Sequence, residues 1–463
     1  MFKVIALTTD WSLLDSFILE KVRETKLPSL AIGVVDKNGE FIYSRVIGFR
    51  DVERGLPATL NTNYGIGSVT KSFTALCVVK LSFEGLIDLE DSVVKYIPEF
   101  NVKPFGRDIR VKDLLTHTTG LPALGYAEAF IRSVLELDTA WLPISKPEDI
   151  ILFMNNSSEW AVSKPGEKFY YLNEGYVLLG YIVSKVTGMS YEDYVRKTIL
   201  KPLNMNKTYF SEEDFRKDFD TAVPYLIDKN GNLVKTKFPF GVTADGGLIS
   251  NVNDMSKYLT MLINRGVFNN SIVLSEEVVK TVEEKRVDYP YKLFGDESYG
   301  YGWMITEKFY DRKLVSHSGS ILVHTAYAGY LPRDGYGVVV LANSSGYPLS
   351  IIGLYALSIA LGHNPEKELK PVFYDRMMSK LVGIYETYKG TFHLSIERNG
   401  DFLTLVYRDK YTESKTTLVP VEIKEDYCEF YTLSNTRRIP VEFYIEKERI
   451  IMIYERYKFV KKR

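Results

Sequence analysis

The hydrophobic pattern changes period several times along the chain. Residues 12–26, SLLDSFILEKVRETK, carry apolar side chains at 13, 14, 17, 18, 19 and 22. That spacing lines one face of a helix, with Ser12 at its start. Two apolar runs follow in SLAIGVVDKNGEFIYSRVIGFRD, separated by Lys37-Asn38-Gly39, which predicts a β-hairpin. YGIGSVTKSFTAL opens a further helix that runs to about Glu84, with Gly85 in the C-cap position. Residues 86–235 read as helices and loops with frequent Gly and Pro, including a helix pair at 173–187 and 188–201. Near 245–265 a glycine turn leads through Asn/Asp capping signals into another helix. Strands return at 300–307, 312–317, 322–331 and 336–342, followed by a helix at about 348–361. Hairpins rather than βαβ units link these strands. The predicted class for residues 1–362 is therefore α/β (α+β): an antiparallel sheet built from both ends of the segment, flanked by helices, with a helical insert.

The pattern shifts again at GHNPEKELKPVFYDR. This stretch is polar, charged and carries two prolines, so residues 363–376 are expected to form a linker. Beyond it Phe392, Leu394 and Ile396 alternate with His393, Ser395 and Glu397, and short β runs follow one another to the end. Residues 377–463 are expected to form a second domain, an all-β barrel or sandwich of seven or eight short antiparallel strands.

Composition agrees with more than one core, since 463 residues exceed what a single ordinary core supports. Lys and Arg number 58 against 59 Asp and Glu, a net charge of −1 that offers no general attraction to nucleic acid. The apolar run in MFKVIALTTDW is too short for a signal peptide, and no run approaches a bilayer span, so a soluble, cytoplasmic chain without membrane partners is expected. Cys77 and Cys428 have no metal or redox spacing and read as reduced thiols; no metal or other cofactor is called for. The chain contains no glutamine while Lys, Glu and Tyr are abundant, a thermophile habit.

Chemistry enters with Ser68-Val-Thr-Lys71. A serine hydroxyl needs a base and an oxyanion hole to attack a carbonyl. At i and i+3 on a helix, Ser68 and Lys71 share a face, and the Ser68 N–H falls among the unpaired amides of the helix start. A buried Lys71 would have a depressed pKa and could serve as base. The bland alternative is a capping serine with a solvated lysine. A second match, Ser92-Val-Val-Lys95, shows that the spacing alone does not decide. Two further motifs bear on the choice. Tyr171-Leu-Asn173 supplies a hydroxyl that can relay the Ser68 proton and an amide that can hold Lys71 or a substrate. His317-Ser-Gly319 supplies a histidine beside the serine and a glycine against which a substrate backbone can lie, and the N–H of Ser320 can complete the oxyanion hole.

In this order the three motifs resemble those of the serine β-lactamase-like hydrolases, which include class C β-lactamases, penicillin-binding carboxypeptidases, D-aminopeptidases and esterases. The likeness covers most of 12–362 and extends to VKDLLTHTTGLP, DGGLISNVNDMSKYL and YGYGWMI. It implies Ser68 as nucleophile, Lys71 and Tyr171 as proton carriers, Asn173, His317 and Gly319 as orienting residues, and the Ser68 and Ser320 N–H groups as the oxyanion hole. One position departs from part of the family. β-Lactamases and wall carboxypeptidases typically have lysine where His317 stands, and a largely neutral imidazole holds a carboxylate less securely. The implied activity is therefore hydrolysis of peptide amide bonds, with D-residues in some relatives. A carboxylesterase of the same mechanism is the rival, and a catalytically silent ligand-binding protein the alternative from another class. The C-terminal strands resemble a lipocalin-like barrel that could cover the cleft, restrict substrate size or drive homo-oligomer assembly. His117 is expected to be a packed structural residue, His324 is open between core and cleft, and Tyr299, Tyr301 and Trp303 are candidates for an aromatic wall. Asp245, Gly246 and Gly247 are candidates for the cleft rim.

Overall fold

The computed structural model describes residues 10–137 and 144–462; residues 1–9, read above for a leader, lie outside that range. The chain divides into two compact units, Met1–Ala360 and Leu361–Arg463. No helix among the described residues is long and apolar enough to cross a membrane.

The first unit is organised by a nine-stranded antiparallel sheet. Its amino-terminal strands are β1 (Ser29–Val35), β2 (Phe41–Asp51) and β3 (Leu56–Pro57); the rest are β4 (Val287–Asp288), β5 (Ser298–Tyr299), β6 (Met304–Phe309), β7 (Arg312–Ser320), β8 (Thr325–Leu331) and β9 (Tyr336–Ala342). The order is β4-β5-β6-β7-β8-β9-β1-β2-β3, so the hairpin near the start of the chain docks on the last strand of the unit. β1 and β9 pair from Leu30↔Ala342 to Val35↔Gly337. Every residue of β1 is buried, because helices cover both faces of the sheet. The first helix is α1 (Ser12–Thr25), and five others matter here: α2 (Thr70–Phe83), α3 (Tyr126–Val134), α4 (Asn173–Thr187), α5 (Val252–Ile263) and α6 (Leu349–Ala360). α5 lies on the face carrying Gly337, against Leu259, and α6 lies on the opposite face, where Gly353 fits against the Tyr327 ring. α5 starts where the Asn/Asp signals place it, with Asn251 accepting the Asp254 N–H at 2.9 Å.

α2 is buried on all sides from Thr70 to Val79, as expected of a helix with apolar residues around its whole circumference. Phe73 stacks on Tyr258 of α5 at 3.9 Å between ring centroids. Each such large side chain, fully withdrawn from water, stabilises the fold by roughly 1.5–3 kcal/mol, which fixes α2 as a rigid support for whatever its first turn carries. The strand predicted over 300–307 starts only at Met304 (β6), because residues 300–303 form the turn between β5 and β6. Gly302 has φ +73°, and a Cβ there would sit 2.7 Å from the Lys71 carbonyl oxygen. The glycine lets this turn lie directly on the first turn of α2.

In the second unit the expected linker over 363–376 is not extended. Residues Pro365–Glu368 and Lys370–Leu381 (α7) are helical. The two prolines stand in the first helical positions, where a missing N–H costs nothing. Met377, Met378 and Leu381 of α7 join the barrel core. Eight antiparallel strands between Gly383 and Lys461 then form a closed barrel. Each pairs with its sequence neighbour, and Gly383–Glu386 closes the ring on Tyr457–Lys461. The interior is filled: Tyr385, Phe430, Phe443, Met452 and Phe459 have no exposed surface.

Candidate active site

Ser68 lies in a 3₁₀ turn, Gly67–Val69, that leads into α2. Its side chain does not cap the helix. Lys71, in the first turn of α2, is fully buried, and its Nζ lies 3.0 Å from Ser68 Oγ. The same nitrogen donates to Asn173 Oδ1 at 2.8 Å and to the Asp245 carbonyl oxygen at 2.6 Å. The count is informative. A neutral amine has two N–H groups and one lone pair. Both N–H groups are taken by oxygens that can only accept, so the lone pair is left for the Ser68 hydroxyl. Burial pushes the Lys71 pKa down to about 8, opposed by the negative charges of Asp245, Glu174 and Glu128. The neutral form is thus accessible near neutral pH.

Tyr171 lies just before α4, and its ring centroid is 4.9 Å from Lys71 Nζ. Burial raises the pKa of its hydroxyl and the nearby Ser68 hydroxyl opposes the rise, although the Tyr171 hydroxyl makes no hydrogen bond to any described residue. Asn173 opens α4, and with its Oδ1 committed to Lys71, its Nδ2 remains as a donor. The segment is held from behind by His117, whose ring stands 4.2 Å from that of Tyr171. His117 Nδ1 accepts the Leu172 N–H at 3.0 Å, and its carbonyl accepts the Tyr170 N–H at 2.8 Å. It is a packed residue, as its sequence context suggested.

The third motif reaches the serine through two glycines. Gly67 has φ +51°, and a Cβ on it would lie 2.7 Å from the Ser320 nitrogen. A Cβ on Gly319 would lie 1.9 Å from the Ile66 carbonyl oxygen and 3.0 Å from the Ser68 nitrogen. A side chain at either position would push main chain apart, and β7 therefore lies backbone to backbone against the Ser68 turn. This contact puts the main-chain nitrogens of Ser68 and Ser320 at the same end of the cleft. His317, five per cent exposed, is engaged at both ring nitrogens. Nδ1 is 2.6 Å from the Ser318 carbonyl oxygen and must donate to it. Nε2 is then the acceptor for the Tyr299 hydroxyl at 3.0 Å. Burial first, then the charge of Lys71, pushes the His317 pKa down to about 3. The imidazole is neutral at physiological pH and is not a cation for a substrate carboxylate.

Ser68 stands between two cavities. One, of about 520 Å³, is walled by Tyr171, Tyr289, Tyr299, Met304 and Tyr347. The other, of about 320 Å³, is walled by Ile131, Arg132, Asp245, Ile321 and Leu322. Of the proposed aromatic wall, Tyr299 lines the cleft while Tyr301 and Trp303 belong to the core. His324 is also a core residue, its Nδ1 accepting the Gly65 N–H at 2.8 Å just ahead of the serine turn. Asp245 does more than edge the cleft, since its carbonyl oxygen holds Lys71 while its carboxylate accepts from the Tyr126 hydroxyl. Three parts of the site were not assigned from sequence: the Asp245 carbonyl, the Tyr299 partner of His317, and Glu128, which touches both cavities. The first two lie in phrases that carried the family likeness; Glu128 had no signal. The competing pair separates cleanly. Ser92 caps a four-residue helix by accepting the Val94 N–H, and Lys95 is an exposed partner of Asp91.

Comparison with known proteins places this constellation in a family. Residues 14–357 match the family model named Beta-lactamase, and the chain belongs to that family of serine hydrolases. Residues 365–460 match a second model, the Pab87 octamerisation domain. Among solved structures, the chain is similar to the octameric penicillin-binding protein homologue from Pyrococcus abyssi, at 46% identity and TM-score 0.92, over 98% of this chain and all of that one. A D-stereospecific amidohydrolase from Streptomyces shares the fold at 24% identity and TM-score 0.60, over 75% of this chain and 98% of that one. Protein flp from Staphylococcus aureus is 28% identical over 335 residues, and penicillin-binding protein 4* from Bacillus subtilis 26% identical over 297. The matched region is 71% of this chain but 62% of the length of the former, and 61% of each chain for the latter.

Proposed function

We propose that this protein hydrolyses amide bonds of peptides through an acyl-enzyme on Ser68. The observation that carries the reading is the environment of Lys71: two carbonyl acceptors occupy its N–H groups, and its lone pair is left for Ser68 Oγ at 3.0 Å. Ser68 Oγ attacks the carbonyl carbon as its proton passes to Lys71. The oxyanion forms between the N–H groups of Ser68 and Ser320, an arrangement in which each donor contributes on the order of 10²–10³ in rate. Lys71 returns the proton to the leaving amine through Tyr171, and the C–N bond breaks. Water then attacks the ester by the reverse proton path and releases the acid. Asn173 and His317 orient the participants, and Gly319 gives the substrate backbone access to the strand edge.

A neutral His317 supports a substrate without a carboxylate at that position, which argues against β-lactams and wall carboxypeptides. The filled barrel interior speaks against a ligand carrier. Similarity of the carboxyl-terminal unit to an octamerisation domain, and of the whole chain to an octameric homologue, supports assembly of eight copies. Turnover of matched L- and D-aminoacyl amides and p-nitrophenyl esters by wild type and Ser68→Ala tests the reading. Amide cleavage lost in Ser68→Ala is expected. Ester hydrolysis with no amide cleavage would replace the peptidase by an esterase.

A further inference from the structure

The larger cavity beside Ser68 has an asymmetric charge. Its walls are four tyrosines, Met304, Leu349 and small polar groups, with Glu128 the single charged side chain among the described residues that line it. His317 lines the same wall but is neutral, for the reasons given above. Lys71 is sealed beneath the serine with its N–H groups spent. Glu128 makes no hydrogen bond or ion pair with any described residue, although its field raises the proton affinity of Lys71, Tyr171 and Asp245, which places it close to the reacting groups. Arg132, one turn further along α3, lines only the smaller cavity and has an interaction of its own. An unpaired carboxylate facing aromatic rings is a recognition site for an ammonium, held by charge attraction and by the negative faces of the rings. Glu128 and Ser68 line both cavities together, so an ammonium held by Glu128 shares the cleft with the carbonyl attacked by Ser68.

We propose that Glu128 selects substrates bearing a primary ammonium next to the scissile carbonyl. This rests on the Ser68 hydrolase reading and names the substrate class for it. Two sources of ammonium fit, a free α-amine and a basic side chain on the residue that supplies the carbonyl. A free α-amine would make the enzyme an amino-terminal exopeptidase, and a side chain would make it an endopeptidase with a basic preference. Glu128 is a specificity residue: it binds the cation and leaves the proton transfers to Lys71 and Tyr171.

The test compares kcat/KM for alanine p-nitroanilide, its N-acetyl derivative and N-acetyl-lysine p-nitroanilide, each as L and D isomers, with wild type and Glu128→Gln. The variant is isosteric at an exposed position. Wild type is expected to prefer a charged substrate over N-acetyl-alanine p-nitroanilide by roughly ten-fold or more, and Glu128→Gln to bring that ratio to about one. Which charged substrate is preferred identifies the source of the ammonium. A wild type indifferent to charge, or a variant that slows charged and uncharged substrates equally, overturns the inference. Labelling by a neutral fluorophosphonate is measured in parallel. Wild type that takes up no label overturns the serine reading, and this inference with it; label with no charge preference overturns the role of Glu128 alone.

Discussion

Replacement of Gly319 by alanine is a sharp test of how this cleft is built. The added Cβ would stand 1.9 Å from the Ile66 carbonyl oxygen and 3.0 Å from the Ser68 nitrogen. The nearest obstacle is main chain, so no side chain can turn away to make room. Ordinary contact, 3.4 Å or more, requires β7 or the serine turn to retreat by about 1.5 Å, an overpacking change that costs about 1–3 kcal/mol or more in stability. The retreat moves the Ser320 N–H away from the oxygen it would hold. A displacement of that size costs about 10²-fold in rate, and loss of one oxyanion donor about 10²–10³-fold. Gly319→Ala should therefore fold with a lowered melting temperature, and its kcat/KM should fall by 10²–10³. Gly175→Ala is the control. Its Cβ would meet Leu114 at 3.5 Å, an ordinary contact, within α4, where alanine is favoured over glycine by about 1 kcal/mol. It should keep full activity and gain stability. The assay is amide turnover together with thermal unfolding followed by circular dichroism. A folded Gly319→Ala with wild-type turnover would refute the idea that the β7 backbone completes the oxyanion site.

The other expectations concern Lys71. Lys71→Ala should lose at least about 10²-fold in kcat/KM, the usual share of a general base, whereas Lys95→Ala, which removes only an exposed, solvent-screened ion pair with Asp91, should be near silent; equal losses would mean that the wrong lysine has been chosen. The pKa of Lys71 is lowered, so the neutral amine that can accept a proton accumulates as pH rises through about 8. The kcat/KM profile should climb ten-fold per pH unit below that value and level off above it. His317, pushed down to about 3 by burial, should add no inflection where a free histidine titrates. A profile that falls with pH through that range would contradict Lys71 as the base.

The fold was legible wherever the hydrophobic period was long and clean. α1, α6 and the strands 312–342 follow their apolar spacing, and the Asn251 capping signal starts α5 as expected. The failures have a common cause in glycine and proline, whose meaning depends on what lies opposite them. Gly302 shortens an expected strand because that turn rests on Lys71, and Pro365 and Pro371 stand in the first turns of helices within a stretch read as a linker. Ser68, Lys71, Tyr171, Asn173, His317 and Gly319 could be put forward as candidates because their spacing is local and their chemistry distinctive. A carbonyl oxygen such as that of Asp245 leaves no trace in residue identity, since every residue has one. Glu128 was hidden for a different reason. Nothing in GYAEAF distinguishes a cleft carboxylate from a solvated one until α3 is placed beside Ser68.

Covalent trapping tests the central claim most directly. Wild-type protein is treated with a fluorophosphonate, digested, and its adduct located by mass spectrometry, alongside Ser68→Ala. One stoichiometric adduct on Ser68, absent in the variant, is expected. An adduct on another residue such as Ser92, equal labelling of Ser68→Ala, or no adduct on active protein would contradict it.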